Sequence, residues 1–395
     1  MAVLPEIAAG AADMVAWRHR LHAAPEIGFE VHETARFVAG CLRSFGCDRV
    51  ETGIGGSGVV GVVQGRADGP AVGLRADMDA LPIHEDTGLA YGSRHAGRMH
   101  ACGHDGHTTI LLGAARYLCA TRRFRGSVVL IFQPAEEIGR GAAAMLGDAL
   151  LERFPLRRVF GLHNWPGLSE GVVFCREGPV MAAVADLTIG LAGHGGHGGM
   201  PHIASDQILA AAHLVVALQG IVARNLPAVE AGVVSIGHVE DTGAWNVLPS
   251  EVCLRGTVRW FAPEIGDLLE RRIGEVAQAV AGAWNCRCSM EFCRVTPAVM
   301  NHPAATLEAE AATREVLGDA GLVLLPAPLM AGDDVGALLA AVPGCYLMLG
   351  AGGGPGAMPL HHPRYDFNDG LLPVGASLMA RLAERGLDGA DGGNA

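Results

Sequence analysis

Positive charge is scarce in this chain. Its 29 Lys plus Arg face 41 Asp plus Glu, a net charge of −12 with histidine neutral. That balance argues against nucleic acid or an anionic membrane as a partner. Long apolar runs are missing too, and none is expected to span a bilayer. The opening MAVLPEIAAGAADMVAWRHR carries acidic residues early and no basic stretch ahead of an apolar one, so no secretory leader is expected. The ten cysteines are scattered, without the density of a secreted disulfide scaffold, and reduced thiols in a cytoplasmic setting are the expectation. Cys286, Cys288 and Cys293 fit no zinc-site spacing and read as structural. No collagen-like or low-complexity repeat is present.

Glycine, by contrast, is abundant. The 56 glycines are about 14% of the chain, roughly twice ordinary usage, and sit at the ends of apolar runs where tight turns are needed. At 395 residues and 50% hydrophobic, the chain is long enough for more than one domain.

Its polar chemistry concentrates in MHACGHDGHTTILLGAARYL, Met99 to Leu118. Cys102, His104, Asp105 and His107 crowd one short loop before a helix-like segment. Burying such a set unpaired is costly, and a metal ion is the simplest shared partner. Cys102 and His104, two apart, project to one side if the loop is extended, and thiolate with imidazole suits zinc and neighbouring ions. The bland alternative is a buried cysteine beside a helix-capping histidine.

Helical periodicity covers Ala9 to Leu21 and Glu33 to Phe45, and Thr108 to Cys119 reads as a third helix. VVGVVQG, AVGLRADMDALP, GSVVLIFQPAEE and RVFGLHNWP read as apolar strands. Strands of that kind alternating with helices imply an α/β domain with a mixed, mostly parallel sheet. Asp77 and Asp79 close one run, Glu136 and Glu137 another, His163 a third. Ligand crevices in open α/β sheets lie beyond the carboxyl ends of strands, so these groups share one rim.

From residue 185 to 296 the order becomes β-α-β-β-α-β, that of a ferredoxin-like α+β domain, inserted between 1–184 and 297–395 of the first. The final segment is read as helix, the strand CYLMLGAGGG, the loop LHHPRYDFND, a closing helix and a disordered tail, GLDGADGGNA.

Each candidate has a functional and a plainer reading. Glu136 and Glu137, adjacent after a strand, would point opposite ways in extended backbone, one to a metal and one to substrate as general base; the alternative is a solvated acidic turn. His163 is a ligand or a satisfied core residue. Of His361 and His362, one would bind an ion and the other face the pocket. Asp77 and Asp79 would bind metal or orient a ligating imidazole. Five mixed donors exceed what one tetrahedral ion needs and fit two ions better.

RADMDALP, HACGHDGHT, FQPAEE, GLHNWP, GHGGMPH and LHHPRYDFND, in that order, resemble the motifs of the hippurate hydrolase and auxin-conjugate amidohydrolase subfamily of dinuclear aminoacylase/carboxypeptidase metallohydrolases. The resemblance covers nearly the whole chain. It implies two divalent ions (Zn, Mn, Co or Ni) held by Cys102, His104, Glu137, His163 and His361, with Glu136 as catalytic base. Asp79 falls where relatives have an aspartate close to the metals, and Asp77 where the wider clan has a ligating histidine. In the inserted domain, read as a lid and a dimerisation domain, His197, Asn246 and Arg259 match positions that reach substrate, His197 serving a neighbouring subunit. A homodimer or tetramer is implied. Three departures stand on the substrate side: His194 for a usual lysine, Asp333 and Val335 in MAGDDVG, and His362, a substrate-facing position usually Ser, Thr or Asn. The implied reaction is hydrolysis of an N-acyl amino acid, a small-molecule substrate. The rival is a carboxypeptidase, dipeptidase or single-intermediate deacetylase on the same centre. A non-catalytic sensor would be expected to have lost a base or a ligand, and none is lost here.

Overall fold

The valine-rich segments form the centre of an eight-stranded sheet in the computed structural model, which describes residues 3–241, 243–353 and 357–388. After one turn at Pro5–Ala8 come α1 (Ala11–His22) and α2 (His32–Phe45). Helix α2 stops at Gly46, where φ is 86°, a left-handed cap that suits glycine. Then follow β1 (Arg49–Ile54), β2 (Gly58–Gln64), β3 (Ala71–Asp77), α3 (His104–Thr121), β4 (Ser127–Gln133), β5 (Arg158–Trp165) and β6 (Val173–Cys175). The middle of the chain supplies β7 (Ala183–Ala192), α4 (Gln207–Asn225), β8 (Gly232–Asp241), β9 (Glu251–Trp260), α5 (Pro263–Ala283) and β10 (Arg287–Thr296). The rest is α6 (Pro303–Leu317), β11 (Leu322–Leu324), β12 (Gly344–Gly350) and α7 (Leu371–Asp388).

The chain divides into two compact units. One is Met1–Val180, Val299–Pro328 and Asp333–Ala395; the other is Met181–Ala298 with Leu329–Gly332. The sequence placed the junctions at 184 and 297 and left out the short return segment. Leu329–Gly332 joins the second unit because Ala182 donates its N–H toward the carbonyls of Leu329 and Ala331.

In the first unit the sheet order is β1-β2-β4-β3-β5-β12-β6-β11. The central pairs β4-β3, β3-β5 and β5-β12 are parallel, as is the outer β6-β11 pair, while β1-β2, β2-β4 and β12-β6 are antiparallel. Strands β3, β4, β5 and β12 are buried along almost their whole length, because helices cover the sheet. Helices α3 and α7 pack on each other and on β3. Sequence periodicity did not mark β1, β6 or β11: RVETGI is mostly polar, and the other two have three residues each.

Two helix boundaries differ from expectation. Helix α3 begins at His104 rather than Thr108, so the polar cluster forms its first turn instead of an extended loop. Helix α7 runs on to Asp388, into the tail expected to be disordered. Leu387 is buried there, and Gly386 lets the helix approach β3: a Cβ on it would sit 3.1 Å from Val72. The rest of that tail, 389–395, lies outside the described residues.

The second unit is a four-stranded antiparallel sheet, β8-β9-β7-β10, packed with α4 and α5 in ferredoxin-like order. Its core holds Leu187, Ile189, Leu214, Leu218, Leu254 and Ile273, each fully buried and stabilising by about 2 kcal/mol. Helix α4 corrects the expectation about apolar runs. Its 19 residues, mean hydropathy 1.5, are long and apolar enough to cross a membrane. One face (Ala210, Leu214, Leu218, Ile221) is core; Ile208, Leu209 and Val216 on the other are exposed.

Candidate metal centre

Strands β3, β4 and β5 run parallel and adjacent, so Asp77, Gln133 and His163 arrive at one edge of the sheet. Loops beyond that edge bring the remaining donors. Gly103, at φ 93°, turns the chain into α3 between Cys102 and His104, and a Cβ there would strike Asn164 at 2.4 Å. Ala135 is also left-handed, φ 57°, and turns the chain after β4 so that Glu136 and Glu137 lie in a turn rather than in extended backbone. His361 is left-handed as well, φ 65°. Left-handed non-glycine residues persist where surroundings over-determine them, commonly at functional sites.

The structure brings five sequence-predicted donors together. Cys102, His104 and His163 form one group, Cys102, Glu137 and His361 a second, and His104, Glu136 and Glu137 a third; within each, the donor atoms lie within 4.8 Å of one another. Cys102 Sγ is 3.4 Å from His163 Nε2. His104 Nε2 is 3.8 Å from both Glu136 and Glu137, and His361 Nε2 is 3.6 Å from Glu137. His362 instead accepts the Arg364 N–H at 3.1 Å, so of the adjacent pair it is His361 that joins the cluster.

Hydrogen bonds fix the tautomers. His104 Nδ1 donates to the Asp79 carbonyl at 2.9 Å, and His163 Nδ1 donates to the Asn164 carbonyl at 2.7 Å. A carbonyl only accepts, so each Nδ1 carries the proton and each Nε2 lone pair faces the cluster, the usual orientation of a ligating imidazole. His104 Nε2 and Glu137 Oε1 are buried with no hydrogen-bond partner.

Electrostatics say the same. Burial and the Glu137 carboxylate push the Cys102 thiol far up. Burial, then Asp333 and Glu137, pushes Glu136 well above the carboxylate range. Burial raises Glu137 to about 7 even beside His104. Against the pull of burial, Asp77 and Cys102 push His104 up, so a positive charge is favoured at its Nε2, where a divalent cation would stand in place of a proton. The set is short of positive charge, and a thiol, imidazoles and carboxylates with orphaned lone pairs fit divalent cations.

Asp79 accepts the backbone N–H groups of Glu136 and Glu137 at 3.0 and 3.1 Å, holding that turn in place. Asp77 holds His107 Nδ1 at 2.7 Å and Arg75 at 2.6 Å on its carboxylate, while one of its oxygens lies 3.9 Å from His104 Nε2. It orients His107, which is not among the five donors, and also stands in a group with His104 and His107 whose ligand atoms lie within 4.8 Å of one another. His107 also contacts Asn164 at 2.7 Å.

Sequence reasoning missed a buried layer beneath Glu136. Arg75 donates to Asp333 at 3.2 Å and Asp334 at 3.1 Å, besides Asp77 and Gln133. Tyr346 donates to Asp333 at 2.6 Å. Carboxylate oxygens of Glu136, Asp333 and Asp334 lie within 4.8 Å of one another. Burial, opposed by Arg75, leaves Asp334 at about 7. This corrects the placement of Asp333 and Val335 on the substrate side: they are 2% and 1% exposed. An arginine inside the apolar run AVGLRAD was the one available signal.

A second buried network braces the first turn of α3. His22 Nδ1 is 2.8 Å from Asp105, its Nε2 is 3.5 Å from Glu85, and Arg18 reaches Asp366 and Asp369 at 2.8 Å. Burial alone would lower His22; its contacts with Asp105 and Glu85 outweigh that and raise it from 6.5 to about 9. A raised histidine stabilises the fold fully below pH 6.5, and this gain, on the order of 3 kcal/mol, disappears as pH rises through 9. The wild-type Tm is therefore expected to fall toward that of His22→Gln over this window. A constant gap between the two melting curves would contradict the assignment.

His197, Asn246 and Arg259 belong to the second unit. His197 pairs with Val247 in a short ribbon, and the Asn246 carbonyl accepts the Gly198 N–H at 2.9 Å, so these two residues are neighbours. His197 Nδ1 accepts the Gly199 N–H at 2.9 Å, which places its own proton on Nε2. Arg259 donates to the Met330 carbonyl at 2.7 Å. His194 is exposed, its backbone tied to Ser205.

Known proteins resemble this chain in sequence and in fold. The model of peptidase family M20/M25/M40 matches residues 73–385. Hippurate hydrolase of Campylobacter jejuni is 40% identical over 97% of this chain and 99% of its own. N-acetyl-L-cysteine deacetylase of Bacillus subtilis is 36% identical over 95% and 88%. The crystal structure of a dinuclear metal-binding M20 peptidase from Bacillus subtilis superposes with a TM-score of 0.81 at 30% identity, covering 96% of this chain and 99% of that one. This chain belongs to the peptidase family M20/M25/M40.

Proposed function

We propose that this chain is an amidohydrolase that cleaves the amide bond of N-acyl amino acids, giving a carboxylic acid and a free amino acid. The observation that carries the reading is Glu136 gathered beside five donors, of which His104 Nε2 and Glu137 Oε1 are buried with no hydrogen-bond partner. Both curated relatives named above act, by name, on an N-acyl amino acid.

Cys102, His104, Glu137, His163 and His361 would hold two divalent cations of the Zn, Mn, Co or Ni type. When bound, such ions supply Lewis acidity and make water acidic near neutral pH. Glu136 takes the proton of the attacking water and hands it to the leaving amine nitrogen, base and then acid. Asp79 fixes the turn that aims Glu136. We assign substrate contacts to His362, and in the second unit to His197, Asn246 and Arg259. The His197 Nε2–H is suited to a developing oxyanion, and the Arg259 fork to a carboxylate.

The exposed apolar face of α4 (Ile208, Leu209, Val216) and the open edge of β8 support self-association of the second unit as a homodimer or tetramer. A monomer in sedimentation velocity would contradict that part. A cytoplasmic location is part of the same proposal, resting on the scattered placement of the ten cysteines along the chain.

A panel of N-acetyl, N-benzoyl and longer acyl amino acids beside dipeptides tests the substrate class. Turnover is expected on the acyl amino acids. Selective cleavage of dipeptides would move the assignment to a dipeptidase.

A further inference from the structure

Cys47 and Cys119 take no part in the site above. Their sulfurs lie 3.4 Å apart, in contact, although the residues are 72 positions apart in the chain. Cys47 follows the left-handed stop of α2 at Gly46, and Cys119 sits near the end of α3. Arg122 ties this corner together: its guanidinium donates to the carbonyls of Gly46 and Gln64, each at 2.8 Å, to the Asp48 carboxylate at 2.7 Å and to the Cys119 carbonyl at 3.2 Å. Contact with Cys47, helped by Arg122, lowers the Cys119 thiol, while contact with Cys119 and burial push the Cys47 thiol up. Access rather than acidity therefore selects Cys47 for the first exchange, and Cys119 is the ready resolving thiolate. Cys47 is half-buried and Cys119 only 7% exposed, so a small reagent meets Cys47 first.

We propose that Cys47 and Cys119 are an oxidisable dithiol that low-molecular-weight disulfides convert to an intramolecular disulfide, clamping the end of α2 to the end of α3. The Cys47 thiol loses its proton to solvent and its sulfur attacks the reagent, breaking the reagent's S–S bond and expelling one thiolate. Cys119, deprotonated in turn, attacks the Cys47 sulfur of this mixed disulfide and expels the second thiolate. Two protein thiols are oxidised and one reagent disulfide is reduced to two thiols. A disulfide holds its sulfurs at about 2.05 Å, so closure asks for a movement of about 1.4 Å shared between two side-chain rotations. Cross-linking residues this far apart in sequence constrains the unfolded chain strongly. Cys175 and Cys345 provide an internal contrast: their sulfurs are 3.9 Å apart, but both residues are fully buried.

The test incubates the full-length native protein with oxidised glutathione, blocks remaining thiols by alkylation and maps the peptides by mass spectrometry. Expected are the loss of two thiols per chain, a peptide joining Cys47 to Cys119, and a rise in Tm of several degrees that dithiothreitol reverses. Cys47→Ser and Cys119→Ser should show no such rise. Retention of all thiols, a link between other cysteines, or a mixed disulfide left unresolved on Cys47 would overturn the proposal. Mapping the wild-type chain decides the matter even if neither variant folds.

Discussion

Glu136→Gln is expected to bind divalent cations normally and to lose turnover by roughly two to four powers of ten. The amide has nearly the shape of the carboxylate but cannot accept and return a proton. The turn that aims it should survive, because Asp79 grips the backbone N–H of residue 136 and not its side chain. Burial beside Asp333 and Glu137 pushes the Glu136 carboxyl up, which suits a group that must take a proton and then give it away. The measurement pairs steady-state kinetics on an N-acyl amino acid with metal content of the same preparation. A variant with full metal and near-normal kcat would remove Glu136 from the mechanism.

Arg75→Met is expected to destabilise the first unit by about 3–5 kcal/mol, a fall in Tm on the order of 10 °C. Arg75 is 1% exposed and donates to Asp77, Asp333 and Asp334. Removing it leaves those carboxylates buried without their cation, and methionine fills the space but supplies no charge. The deficit should shrink at acid pH, where the stranded carboxylates take up protons. Arg385→Met is the control. It breaks a pair with Glu315 in which both side chains are about two-fifths exposed, and a change within about 1 kcal/mol is expected. Equal losses for the two variants would show that the buried cluster does not depend on its arginine.

Much of the site was legible because strand ends are legible. Asp77, the Glu136–Glu137 pair and His163 each follow an apolar run, and parallel strands carry them to one edge. The order of elements in the second unit was equally plain, since its helices are long and its strands alternate. What escaped shares a physical cause. Arg75 meets Asp333 across 258 positions, and nothing local in DDVG distinguishes a buried pair of carboxylates from an exposed turn. The first turn of α3 was read as loop because the apolar, helix-like run begins only at Thr108. In the fold, Asp105 and His107 are buried against His22, Asp77 and Asn164, partners supplied by other elements. The tail failed in the opposite direction: Gly386 reads as a breaker, yet the missing side chain is what lets α7 lie close to Val72 and Phe160.

Metal content per chain, measured by plasma mass spectrometry as cations are stripped by chelation and then restored, tests the central claim most directly. The account predicts two divalent cations per chain, activity that vanishes with them and returns on reloading, and weaker retention in Cys102→Ala. Undiminished hydrolysis by protein verified free of metal would contradict it.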